Sequence, residues 1–196
     1  MLHVLSILMC FVPLKSRKDE FTKSMLNFVQ ENNMSGLLFL TGMDLSNRTD
    51  SQMQFVNLSQ SLLTIGLYAY RASTYAFIPD QCPTLNDTPL ATISQLPTYK
   101  FAPKRTDAAE TDAKSVIPLI PGGGITRRFL SSLPQKWPVP TACILQFVLE
   151  GDNQADAEYL ANIVAKALKL SISQWKRPSS WRVGLFGTPH DQSLYG

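Results

Sequence analysis

Five groups of residues have types and spacing that could do chemistry. The first is Gly122-Gly123-Gly124, which follows an apolar run and precedes Thr126. Glycine amides can cradle a phosphate or an oxyanion. The run is not G-x-G-x-x-G and lacks the Lys-Ser/Thr of a P-loop. The simpler reading is a tight strand-to-helix passage that needs positive φ or close packing. The second group is nucleophilic. The chain has two histidines, His3 and His190, one in an apolar run and one near the C-terminal end, and no G-x-S-x-G elbow. Neither histidine reads as the well-held base that a Ser-His-Asp or Cys-His arrangement requires. The third is the carboxylate set Glu150, Asp152, Asp156 and Glu158. It could bind a metal or act as acid and base, but acids at a helix start are ordinary dipole chemistry. The fourth is Trp175-Lys176-Arg177-Pro178-Ser179-Ser180-Trp181-Arg182. Aromatics interleaved with cations can stack on bases; the alternative is that the tryptophans pack a C-terminal segment back onto the domain. The fifth is Leu194-Tyr195-Gly196, a hydrophobic residue, a tyrosine and a final carboxylate. Such an end can plug a pocket, with leucine in an apolar notch and the carboxylate on a lysine.

The cysteines add no site. Cys10, Cys82 and Cys143 are an odd count without CxxC spacing, so they predict neither a disulfide framework nor a zinc site. Cys10 and Cys143 read as small buried hydrophobes and Cys82 as a free thiol in a Pro-flanked loop. A reducing compartment fits. A net charge of +3 is too mild for a nucleic-acid-binding face. The apolar stretch Met1–Leu14 is too short to span a bilayer as a helix, and no basic residue precedes it as in a secretory signal. Sequons at Asn33, Asn47, Asn57 and Asn86 leave a secreted glycoprotein as a rival reading.

The elements that must position these residues follow from periodicity. With 196 residues and 44% hydrophobic content, one domain with a sizeable core is expected. His3–Val12 reads as a buried strand. Lys18–Asn32 reads as a helix with Phe21, Met25, Phe28 and Val29 on one stripe, and Gly36–Thr41 as a second strand. Strand, helix, strand is a βαβ signature with a right-handed crossover. Residues 54–70 carry no clean period. Residues 78–111 hold repeated prolines and read as an irregular, partly disordered insertion. Ile117–Ile120 predicts a short strand, Ile125–Leu133 a helix, Thr141–Leu149 a buried strand and Asp156–Leu170 a helix. Asp152 or Asn153 is available as its N-cap. The pattern predicts an α/β fold, three-layered, with a mostly parallel sheet.

Three blocks bear a resemblance. Ile120-Pro121-Gly122-Gly123-Gly124-Ile125-Thr126, then Leu145–Asn153 followed by Asp156-Ala157 and a helix, then Trp175–Arg182 closing on Leu185-Phe186-Gly187, occur in order at plausible spacing. Together they resemble the proteasome assembly chaperone 2 family, strongly over residues 117–187 and loosely over 1–70. The resemblance implies a nucleoside-phosphorylase-like architecture without its catalytic residues, and no cofactor. Its structural motif residues here are Pro121, Gly122, Gly123, Gly124, Gly151, Asp152, Asn153, Trp175, Pro178 and Trp181. It implies a heterodimer with proteasome assembly chaperone 1, bound to the α ring of the 20S particle in the cytoplasm and nucleus, without nucleic acid or membrane. The pair promotes correct ring assembly and prevents off-pathway ring association. Leu194, Tyr195 and Gly196 would enter a pocket between α subunits. Family members begin with a further strand, turn and helix, so the reading expects an N-terminally shortened chain with the first elements of the fold missing. It divides the chain into a domain over 1–187, with the Pro-rich insertion at about 78–115, and a docking tail over 188–196. The rival from chemistry is a phosphorylase- or hydrolase-like enzyme using the Gly122–Gly124 loop; the expectation is a non-enzyme.

Overall fold

A computed structural model describes residues 15–48, 74–100, 117–148, 151, 153–179 and 181. The predicted strand at His3–Val12 and the weakly patterned residues 54–70 lie outside them.

Three strands carry the architecture: β1 (Leu37–Asp44), β2 (Thr74–Phe77) and β3 (Thr141–Val148). β3 is last in sequence but central in space, in the order β1-β3-β2. It pairs parallel with β1, Leu37 opposite Thr141 through Asp44 opposite Val148. It pairs antiparallel with β2, where Thr74 faces Gln146 and Phe77 faces Cys143.

This corrects the expected mostly parallel, phosphorylase-like sheet. Among the described residues the sheet is small and mixed, and it does not show the phosphorylase architecture. The physical reason is that an unbroken apolar run signals burial on both faces, not direction. The runs at β1 and β3 do pair in parallel. The strand that sets the opposite sense, Thr74-Tyr75-Ala76-Phe77, is only four residues long and abuts Pro79. It is buried throughout.

Helices lie on both faces because side chains alternate along each strand. On one face Met43, Tyr75, Phe77, Cys143, Leu145 and Phe147 pack with α1 (Lys18–Glu31) and α2 (Thr126–Ser131). Phe129 of α2 fills the centre, 5.3 Å from the Phe39 ring and edge-on to Phe21 at 6.1 Å. On the other face Ala76, Ala142 and Ile144 pack with Ile163 and Ala167 of α3 (Gln154–Ala167).

Details of the predicted elements shift. α1 buries Thr22, Leu26 and Val29, whereas Phe28 is 44% exposed, so the expected stripe is rotated by about one position. Ile117–Ile120 is irregular rather than a strand, as Pro118 in its middle would favour. The described part of the Pro-rich stretch, 78–100, is irregular but packed. Leu85, Leu90, Ile93 and Tyr99 are buried, and a 3-10 turn over Ala91–Gln95 sits beside α3. Its closure comes from Thr92 Oγ1 donating to the Ala167 carbonyl at 2.7 Å and Tyr99 N to Ala76 O at 2.7 Å.

Candidate functional site

The glycine run closes the carboxyl end of β1. Asp44 N donates to Pro121 O at 3.3 Å. Gly122 has φ +70, and a Cβ there would stand 2.9 Å from Asp44 N. A Cβ on Gly123 would stand 2.3 Å from Ile120 Cγ2. Both positions therefore require glycine, one for backbone conformation and contact, the other for contact alone. Gly124 has φ +57 with open space around it. Two amides here are engaged locally: Gly123 N donates to Ile120 O and Thr126 N to Gly123 O, each at 3.1 Å. The Thr126 hydroxyl points inward to Thr41 Oγ1 at 2.8 Å, and Thr41 lies 3.8 Å from Cys143 Sγ. Cys143 is fully buried, and desolvation pushes its thiol up to about 12, so it is a neutral core group rather than a nucleophile. The glycines thus make a tight passage, as the simpler reading of the sequence expects.

Asp44 beside that turn was not singled out by sequence. It is exposed, and its carboxylate accepts from Ser46 N at 2.9 Å, Ser46 Oγ at 2.8 Å and Asn47 Nδ2 at 3.0 Å. These bonds, the Ser46 hydroxyl first, hold its carboxyl below the ordinary range. It caps a 3-10 turn over Leu45–Asn47. The signal available in the sequence was Asp-x-Ser after an apolar strand, a cap pattern. Next to it, the Arg48 guanidinium lies 5.9 Å above the Phe147 ring.

The second block lies at the same end of the sheet. Gly151 has φ +124 with nothing within 4 Å of an added Cβ. Asn153 occupies the N-cap position of α3 without a side-chain capping bond. Gln146, a polar residue in β3 that is 1% exposed, donates from Nε2 to Asp156 O at 3.1 Å and ties α3 to the sheet. Asp152 and Glu150 lie outside the described residues. Of the other acids in that set, Glu158 pairs with Arg177. Among the described residues no cluster of three metal-ligating side chains occurs.

The tryptophan block runs as an exposed strap along α3 in the opposite direction to the helix. Trp175 Nε1 donates to Asn162 Oδ1 at 2.8 Å. Arg177 Nε donates to Glu158. Gln154 Nε2 donates to Trp181 O at 3.3 Å, and Trp181 N closes a turn on Pro178 O at 3.1 Å. The partners step back from Asn162 to Glu158 to Gln154, one helical turn at a time. The strap does fold back on the domain, but polar clips hold it: Trp175 stays 37% exposed and Leu170 46%. Leu194, Tyr195 and Gly196 lie outside the described residues.

No family model matches the chain. Human proteasome assembly chaperone 2 is 36% identical over 96 residues, 44% of this chain and 36% of the human protein. The Xenopus tropicalis protein of that name is 41% identical over 76 residues, 35% of this chain and 28% of its own length. The mouse protein of that name is 26% identical over 204 aligned residues, 99% of this chain and 68% of its own length. The match to the human relative thus spans little more than a third of that protein's length. These similarities, recurring across species and extending in the mouse alignment along nearly the whole sequence, make the chain a homologue of proteasome assembly chaperone 2.

Proposed function

We propose that the chain is a non-enzymatic assembly chaperone that pairs with proteasome assembly chaperone 1 and binds the α ring of the 20S particle. It favours correct ring assembly and blocks off-pathway ring association. The observation that supports this most is the homology to chaperones whose name states that they act in proteasome assembly. A second support is that the Gly123 and Thr126 amides and the Thr126 hydroxyl make bonds within the fold. The working groups are then surfaces. The body makes a broad contact, and Leu194, Tyr195 and Gly196 act as apolar anchor, ring contact and carboxylate donor in a pocket between α subunits. A tail of this kind binds weakly alone. Tethered to a docked body and joined by a partner's tail, it can gain roughly 10²–10⁴ in affinity through effective concentration. The place of action is the cytoplasm and nucleus.

Affinity purification of the full chain through an N-terminal tag, followed by mass spectrometry, tests the reading. Recovery of α subunits with a second chaperone is the expected result; recovery of neither overturns it. Deleting Leu194–Gly196 is expected to weaken ring association while leaving the chaperone pair intact. Undiminished ring association by the shortened chain would remove the tail from the mechanism.

A further inference from the structure

Ser179 in the strap combines exposure, upstream charge and a neighbour that can change partners. It follows Lys176-Arg177-Pro178, so cations stand two and three residues before it. Paired cations at these offsets suit an acidic substrate groove, the charge pattern by which many serine kinases select substrates. Such a groove takes an extended, accessible segment. The strap supplies one: Leu170 to Pro178 lie in neither helix nor strand, and every residue from Lys169 to Ser179 is exposed. Polar clips hold it to α3 through Trp175, Arg177 and the Trp181 carbonyl. Segments secured this way open locally at low free energy. Ser131 shows what charge alone does not provide. Arg127 and Arg128 precede it by four and three residues, and it too is exposed. However, it is the last residue of α2, directly after Phe129 and Leu130, which are 3% and 0% exposed. Drawing that segment into a groove would unpack the core.

We propose that Ser179 is a phosphorylation site for a serine kinase that reads basic residues, and that its phosphate takes Arg177 from Glu158. The co-reactant is ATP. Ser179 Oγ bonds to the γ-phosphorus, and the bond from that phosphorus to the β,γ-bridging oxygen breaks. ADP leaves, and the hydroxyl proton passes to a carboxylate base of the kinase. The product carries roughly −1.5 to −2 charge at pH 7 and three acceptor oxygens. In the unmodified chain Arg177 Nε donates to Glu158 Oε1 at the surface. The Cα atoms of residues 177 and 179 can stand at most ~7 Å apart, so the phosphate forms within reach of the guanidinium. A phosphate is a bidentate partner of higher charge than a carboxylate, and it repels Glu158. One clip between strap and α3 is thereby exchanged for a contact within the strap, while the Trp175 and Gln154 clips remain.

Mass spectrometry of the full chain, isolated from its own cells under phosphatase inhibition, tests the site. Phosphate on Ser179 is expected. A chain without it there, whether modified elsewhere, as at Ser131, or not at all, overturns the assignment. The change of partner is tested on the ¹⁵N-labelled full chain treated with the catalytic subunit of cyclic-AMP-dependent kinase and magnesium ATP. Failure of this kinase to modify Ser179 overturns recognition through Lys176 and Arg177. In the untreated chain Glu158→Gln should shift the Arg177 Nε–H resonance, since that group donates to Glu158. In the phosphorylated chain the resonance should move to a new position and no longer respond to Glu158→Gln. It should also follow pH through about 6, the second ionisation of a phosphoserine. Ser179→Ala, treated alike, should keep the resonance of the untreated chain. A phosphorylated chain whose Arg177 signal still responds to Glu158→Gln, or shows no titration near 6, overturns the exchange. So does a treated Ser179→Ala chain whose signal moves.

Discussion

β3 and the strap are both recognisable blocks of the sequence, and opposite forces hold them. Seven residues of β3 are buried, and its side chains join both faces of the core. The strap from Lys169 to Ser179 is exposed throughout and attached by hydrogen bonds and an ion pair. Burial contributes roughly 1.5–3 kcal/mol for each large apolar side chain. An exposed ion pair contributes about 0–1 kcal/mol. A block can therefore be distinctive in sequence whether apolar burial holds it, as in β3, or exposed polar bonds do, as in the strap.

The difference can be broken by substitution. Leu145→Ala, at a fully buried site, should cost about 2–5 kcal/mol in urea unfolding of the full chain, whereas Leu170→Ala in the strap should cost less than about 0.5 kcal/mol. Similar losses at both would collapse the distinction. The pH dependence sharpens it. The folded Cys143 thiol titrates near 12, above the unfolded value near 8.5. The stability gained from the protonated thiol is complete below about 8.5 and falls by roughly 1.4 kcal/mol per unit as pH rises from there toward 12. Cys143→Ala should flatten that slope, which urea midpoints between these limits would reveal.

Smaller effects separate the glycines and the tryptophans. Gly122→Ala meets both a positive φ and the Asp44 amide, so it should cost about 1–3 kcal/mol; Gly124→Ala meets only the φ and should cost about 1 kcal/mol. Equal midpoint shifts would mean that the Asp44 contact is relieved by movement. Trp137→Phe removes a buried bond from Nε1 to Thr141 Oγ1 of 2.9 Å and should cost about 1–2 kcal/mol. Trp175→Phe removes an exposed bond to Asn162 and should cost a few tenths. A larger loss at Trp175 would place the strap within the cooperative fold.

The sequence revealed long elements better than short ones. α1, β1, β3 and α3 each extend over enough residues for their period to dominate. β2 does not, because four residues cannot establish a repeat, and its direction depends on a partner strand some seventy residues away. The glycine turn was legible as a passage because glycine has few other uses at such density. Its partner Asp44 was not, since the contact joins residues remote in sequence. The course of the strap was hidden for the same reason: Asn162, Glu158 and Gln154 are unremarkable helix-surface residues until the chain returns along them.

The strap's weak clips also have a kinetic meaning. Segments secured by a few exposed hydrogen bonds open locally at far lower free energy than the core around them. The strap can thus peel and re-lay many times during the lifetime of one folded body. Its hydrogen bonds set a dwell time, and they can be retuned one residue at a time without touching β3. The strap's attachment and the durability of the core are, on that basis, separately adjustable properties.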